Sequence, residues 1–261
     1  MTFELYEDGQ FSANRLAVKG PTVVIDRATM PPGIEMLPGA ASTLQFDELR
    51  PGMKTIEIWL SHCGSVELRA LRVDAGARIE AAPPRNVRWA HYGSSISHGM
   101  EASGPSHTWP AVAARAMNVD LINLGLAGQC QLDPGVARVI RDGAFDLISL
   151  KLGINVINLD SMRERVFAPM VHGFLDTVRE GKPKTPVLVV SPIICPAAEN
   201  HPGPTIPTKT VVRVPERPAQ LAYGALSLSR VRTLLEGIVA KRRAEGDLHL
   251  HYLNGLDLFG P

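Results

Sequence analysis

Two kinds of apolar pattern divide this chain. Up to about residue 84, apolar positions come in short runs or alternate with polar ones. Residues 22–26 (TVVID) form a β-branched run, and residues 55–60 (TIEIWL) and 66–73 (VELRALRV) alternate at a period near two. That alternation is the mark of half-buried strands. Proline and glycine punctuate the stretches at 31–33 (PPG), 38–39 (PG) and 51–52 (PG), where turns are expected. No segment here keeps a helical period over three turns. Residues 1–84 therefore read as a small β-rich domain, closed by a stiff APP linker at 82–84.

Beyond the linker, strands and helices alternate. Strands are predicted at 88–92 (RWAHY), 120–124 (DLINL), 146–152 (DLISLKL), 186–190 (PVLVV) and 248–253 (LHLHYL). The nearly all-apolar 186–190 is what a parallel sheet covered on both faces requires. Helices are predicted at 109–117, with Pro110 in the first turn where a missing N–H costs little. Others fall at 133–141 and at 161–180, the latter kinked or broken by Pro169. Val231, Leu234, Leu235, Ile238 and Val239 follow helical i, i+3, i+4 spacing. The polar, proline-rich stretch 196–218 reads as a long functional or mobile loop. This order predicts a three-layer α/β/α domain with a parallel sheet over residues 85–261. No internal repeat is visible.

In such sheets ligands bind outside the carboxyl ends of the strands. After the first of these strands comes GSSISHG at 93–99. After the second comes GLAG at 125–128, preceded by Asn123, and after the third come Gly153, Ile154 and Asn155. Successive strand ends thus offer a hydroxyl, a glycine-flanked turn and a carboxamide. Acyl transfer needs that combination: a nucleophile, and donors for the oxyanion of a tetrahedral intermediate.

Taken singly, each piece has a plain structural reading, such as a serine N-cap at a strand-to-helix turn. The α/β-hydrolase elbow G-x-S-x-G is not matched, because Ser97 occupies its last position. Residues 123–128 lack the first glycine of the dinucleotide fingerprint, and no acidic residue stands ~20 positions on at the next strand end. Gly181-Lys182 runs into Pro183, so no Walker lysine exists. A flavodoxin-like nucleotide binder lacks its phosphate loop. The conjunction of the three pieces carries the acyl-transfer reading.

Residues 92–99 (YGSSISHG) resemble the first block of the GDSL/SGNH hydrolases, 123–128 (NLGLAG) the glycine block and 153–155 (GIN) the G-x-N block. The likeness runs over roughly residues 88–259 and implies a flavodoxin-like domain. It implies Ser95 as nucleophile, Gly128 as the source of an oxyanion-hole backbone N–H, and Asn155 as the source of a side-chain N–H. Ser94, His98 and Gly153 would line the substrate site. The β-rich residues 1–84 resemble, though they look short for it, the β-sandwich preceding the catalytic domain in an actinobacterial type of member. Carbohydrate esterases and an antibiotic-tailoring acyltransferase branch are among the relatives built that way.

The sequence departs from the family twice. Ser94 replaces the usual aspartate, at a position that supports the turn rather than the chemistry. The family also draws its histidine, and usually its aspartate, from a D-x-x-H block beyond the last strand. Here the chain stops at 258–261 (LFGP) before any such block. A piece of a longer protein is therefore expected, or a naturally shortened, impaired relative, with weak or no activity from these 261 residues alone.

Other histidines fit the base role poorly. His98 shares a helix face with Ser95, but imidazole must reach the hydroxyl edge-on through a ring nitrogen, so His98 reads as pocket lining. His249 and His251 sit at i, i+2, a spacing seen at zinc sites, yet no third ligand is in view and a packed or surface pair is expected. His91 alternates with Trp89 and reads as structural. His62, His107, His172 and His201 carry no motif.

Composition narrows the partners. With 27 basic and 26 acidic residues the net charge is +1, and no basic stripe suggests nucleic acid. Cys63, Cys130 and Cys195 form no CxxC pair or disulfide framework. No signal peptide and no membrane-length apolar run is apparent, so a cytoplasmic protein without cofactor or metal is expected. The expected function is a serine esterase on a small or carbohydrate-type ester. Its alternatives are an acyltransferase on the same scaffold and a non-catalytic carbohydrate-binding relative.

Overall fold

A computed structural model describes residues 1–20, 22–26, 33–207 and 212–260. Pro31 and Pro32 of the expected punctuation, residues 208–211 of the expected loop, and Pro261 lie outside the described residues. The chain divides into two compact units, Met1–Pro83 with Met100–Ala111, and Pro84–Gly99 with Val112–Pro261.

In the first unit, β1 (Thr2–Glu7) pairs antiparallel with β2 (Gln10–Leu16), and β3 (Thr22–Asp26) pairs with β4 (Gly33–Leu37) as a separate hairpin. β5 (Ile56–Trp59) joins the other edge of β1, giving the order β2-β1-β5. Central β1 buries Phe3, Leu5 and Tyr6. Its Glu4 is also buried, and is satisfied by the Ser106 N–H (2.9 Å) and by His107 Nδ1 at 3.2 Å, both from a turn at Pro105–His107. The Tyr6 hydroxyl meets Ser106 Oγ at 2.7 Å. The expected strand at 66–73 does not form. Its alternation finds no partner, and Leu68, Leu71 and Val73 are 71%, 57% and 51% exposed.

The second unit is built on β6 (Arg88–Gly93), β7 (Asp120–Gly125), β8 (Leu147–Lys151), β9 (Val187–Val190) and, after a short β10 (Ile206–Pro207) and β11 (Val212–Arg213) pair, β12 (Leu250–Leu253). All five long strands run parallel in the order β12-β9-β8-β6-β7. In chain order this is the 2-1-3-4-5 arrangement of flavodoxin-like sheets. Its direction of winding reverses between β6 and β8.

Helices cover both faces. Ala113 and Ala114 of α2 (Trp109–Met117; the shorter α1, Ser95–His98, precedes it) pack with Trp89, Val119 and Leu121. The opposite face takes α3 (Pro134–Asp142), α5 (Glu164–Gly181) and α7 (Leu228–Ala244), with α4 (Ile154–Leu159) and α6 (Ala219–Ala222) as short connectors. The two faces follow from the alternation in β6: Trp89 and His91 point one way, Ala90 and Tyr92 the other. Tyr92 stacks on Phe174 of α5, centroids 5.4 Å apart and planes 6° from parallel. Pro169 neither ends nor splits α5, which keeps one buried stripe of Phe167, Val171, Phe174, Leu175 and Val178. Tertiary burial of that stripe outweighs the lost backbone bond.

Phe174→Ala should destabilise this unit by about 3–5 kcal/mol, since it removes a buried ring and its stacking partner's cover. Urea unfolding measures it; a loss below ~1 kcal/mol would show that this face is not close-packed around Tyr92.

Candidate active site

Ser95 opens α1 just past the carboxyl end of β6, at the switch in winding. The helix is four residues long, too short to hold itself, so its neighbours hold it. Ser94, fully buried, is its N-cap, and the Ile96 N–H donates to its Oγ at 3.3 Å. Asn123 Nδ2 donates to the Ser97 carbonyl (2.8 Å), while Asn123 Oδ1 accepts from the Gly125 N–H (3.0 Å). The helix also lies so close to the sheet that a Cβ on Gly125 would fall 2.7 Å from the Ser97 carbonyl carbon. A side chain there would push α1 off the strand ends.

Beneath α1 lies a buried polar cluster that the sequence reading treated only as structural. His91 is completely buried, with Nε2 2.7 Å from Ser97 Oγ and Nδ1 2.6 Å from Ser149 Oγ. The same Ser149 hydroxyl accepts from Trp89 Nε1 at 2.8 Å. Burial, helped by the Lys151 cation, holds the His91 pKa down at about 3. The imidazole is therefore neutral at ordinary pH, one nitrogen donating and the other accepting.

Gly128 sits in the turn after β7. The Leu126 N–H donates to the Gly93 carbonyl (2.8 Å) and the Gln129 N–H to the Leu126 carbonyl (3.0 Å), so the turn hangs directly from the end of β6. At φ +72° Gly128 adopts a left-handed backbone that a side chain would strain. Tyr92 anchors the far end of this loop: its hydroxyl accepts from the Leu132 N–H at 3.2 Å and donates to Asp133 Oδ2 at 3.4 Å.

Gly153 caps α4, and Asn155 in its first turn is 2% exposed. The Cys130 N–H donates to Asn155 Oδ1 at 3.0 Å. A backbone N–H can only donate, so the carboxamide is oriented with its oxygen spent and its NH₂ left to other acceptors. The loop that carries Gly128 thereby also aims Asn155. His98 ends α1, half-buried, whereas His249 and His251 are exposed.

A cleft of about 530 Å³ opens over the strand ends. It is lined by Ser95 and Ile96 of α1, Lys151 at the end of β8, Ile154 of α4, and residues 192–195 after β9. Ser95 is exposed to it and Lys151 is 5% exposed. Arg232 of α7 braces the far wall: its guanidinium donates to the Pro192 carbonyl (2.9 Å) and the Ile193 carbonyl (3.2 Å) and pairs with Glu199. Neither Lys151 nor Arg232 was foreseen, because each sat inside a strand or helix pattern without a motif. Among the described residues no cluster of His, Cys, Asp and Glu suited to a metal occurs, and no helix is long and apolar enough to cross a membrane.

Residues 87–198 match the GDSL-like lipase/acylhydrolase family. No curated protein matches the chain. Among solved structures, a salicylyl-acyltransferase from a tetracycline biosynthetic pathway is 27% identical, with a TM-score of 0.70 over 100% of this chain and 63% of its own. A GDSL-like lipase from Bacteroides ovatus is 20% identical, with a TM-score of 0.62 over 97% of this chain and 63% of its own. A family two carbohydrate esterase from Clostridium thermocellum, solved with cellohexaose, is 12% identical with a TM-score of 0.58, covering 97% of this chain and 74% of its own. The chain thus spans 63% of the length of the first two.

Because His91 stays neutral in the fold but protonates near its ordinary value when unfolded, the unfolded chain binds the extra proton between about pH 6.5 and 3. Its contribution to stability is full above that window and is lost as pH falls through it. His91→Gln should make the stability–pH slope shallower by up to about 1.4 kcal/mol per unit between pH 4 and 6. Denaturant unfolding at three pH values reads this, and parallel slopes would refute it.

Proposed function

We propose that the GDSL-like lipase/acylhydrolase domain at residues 87–198 makes this chain a carboxylic ester hydrolase with Ser95 as its nucleophile. The observation that carries the reading is the exposure of Ser95 on an immobilised α1, at the mouth of a cleft over the switch in winding. Residues 85–261 are the catalytic domain in this reading, and residues 1–84 an accessory one.

Ser95 Oγ attacks the ester carbonyl and its proton passes to a histidine base. The resemblance assigns that base to a D-x-x-H block, and no D-x-x-H occurs among these residues. The negative charge on the carbonyl oxygen is met by the N–H groups of Ser95 and Gly128 and by Asn155 Nδ2. Collapse of the intermediate expels the alcohol, which takes the proton from the histidine, and leaves an acyl-serine. Water then releases the acid. An alcohol as acceptor would instead give a new ester, the reaction class named for the 27%-identical acyltransferase. Ser94, His98 and Gly153 support the pocket around these groups, and the substrate is an ester of a small molecule or a carbohydrate.

In a chain that includes the histidine base, incubation with a fluorophosphonate probe should place a single adduct on Ser95, found by intact mass and peptide mapping, and Ser95→Ala should stay unlabelled. An adduct elsewhere would reject this nucleophile. No adduct at all would leave the cleft as a binding site on a hydrolase scaffold. With a p-nitrophenyl ester and a chain that includes the histidine base, Asn155→Ala should lower kcat by about 10²–10³ while KM changes little. An effect confined to KM would tell against an oxyanion role.

A further inference from the structure

One cleft residue has no task in that chemistry. Lys151, the last residue of β8, is 5% exposed, and what remains exposed faces the cleft that Ser95 enters. Among the described residues no carboxylate pairs with its ammonium and no acceptor takes a hydrogen bond from it. Two titratable groups near it are neutral: His91, held uncharged by burial, and the Cys130 thiol, pushed up to about 12 by burial. Ile154, Leu159, Pro192, Ile193 and Ile194 make the wall largely apolar. Asn158, also on the wall, has its carboxamide oxygen occupied by the Thr205 hydroxyl at 3.0 Å.

A lysine buried without a counter-charge costs stability. Desolvation brings the Lys151 pKa down to about 8, which still leaves the ammonium form dominant at neutral pH. Among the described residues the site therefore presents one unpaired, buried cation on a largely apolar cleft. The oxyanion already has three donors in the reading above, so the charge left for Lys151 to meet belongs to the substrate.

We propose that Lys151 selects esters carrying a carboxylate, pairing with that group while the ester carbonyl sits at Ser95. The inference rests on the cleft being the substrate site and adds the substrate's charge. A carboxylate entering this cleft gains a partner of low competing hydration, whereas an uncharged isostere leaves the ammonium buried and unmet.

The test uses ligands that cannot be hydrolysed, so it reads Lys151 and not Ser95. 5-Oxohexanoate places a carboxylate on a methyl ketone that stands in for the ester, and 5-oxohexanamide is its neutral counterpart. In ligand-observed NMR titrations at pH 7, the wild-type chain should bind the carboxylate at least about tenfold more tightly than the amide. Lys151→Met, close in volume to lysine, should bring the two within about threefold, and Lys151→Arg should keep the preference. Lys151→Gln provides a second neutral variant, and thermal unfolding checks that each variant is folded. Equal binding of both ligands by the wild type would overturn the proposal. So would a preference that survives in a folded neutral variant. Failure of fluorophosphonate to label Ser95 would instead sink the hydrolase reading and leave this result standing.

Discussion

The short helix α1 can occupy its place only because the strand ends beneath it lack side chains. A Cβ on Gly93 would lie 2.8 Å from Ser97 Cβ, and one on Gly125 would lie 2.8 Å from His98 Cα. With both positions bare, four residues of helix settle onto β6 and β7, and Ser95 stands at their open end. The neighbouring loops are tied to the same strand end. The Gly128 turn hangs from the Gly93 carbonyl, and its continuation at Cys130 orients Asn155.

β6 serves two purposes through its alternation. On one face Trp89 and His91 tie through Ser149 to β8 and through Ser97 to α1, a polar cluster with each ring nitrogen of His91 engaged. On the other, Tyr92 stacks into the helical layer while its hydroxyl reaches the loop after β7. A buried hydrogen-bond network of this kind fixes geometry more than it adds net stability, because folding trades water bonds for protein bonds. Its value here is positional: α1, which carries Ser95, and the loop that carries Gly128 share one strand as their reference.

The cleft is floored and braced by charges that the fold buries. Arg232 is buried but fully occupied, spanning two carbonyls and Glu199. Lys151 is buried and has no partner among the described residues. Two cations thus differ in consequence, one closing the wall and the other open to a ligand, and only their surroundings separate them.

Much of the second unit was legible in the residues themselves. Period-two and all-apolar runs located all five parallel strands, and the blocks after the first three strands placed Ser95, Gly128 and Asn155 on one edge of the sheet. Those signals are local: backbone pairing and the alternation of side chains are written in neighbouring residues. Where the outcome depended on a distant partner, the pattern misled or stayed silent. The alternating residues 66–73 lack a paired strand, and the proline in α5 is overruled by its buried stripe. By itself, then, the sequence determined the order of elements and the chemistry offered at each strand end. The tertiary structure decided which groups lose water and which find a partner. Desolvation and pairing are properties of the packed whole, so Lys151 reads along the chain as one more residue of a strand and in the fold as a cation without a partner among the described residues.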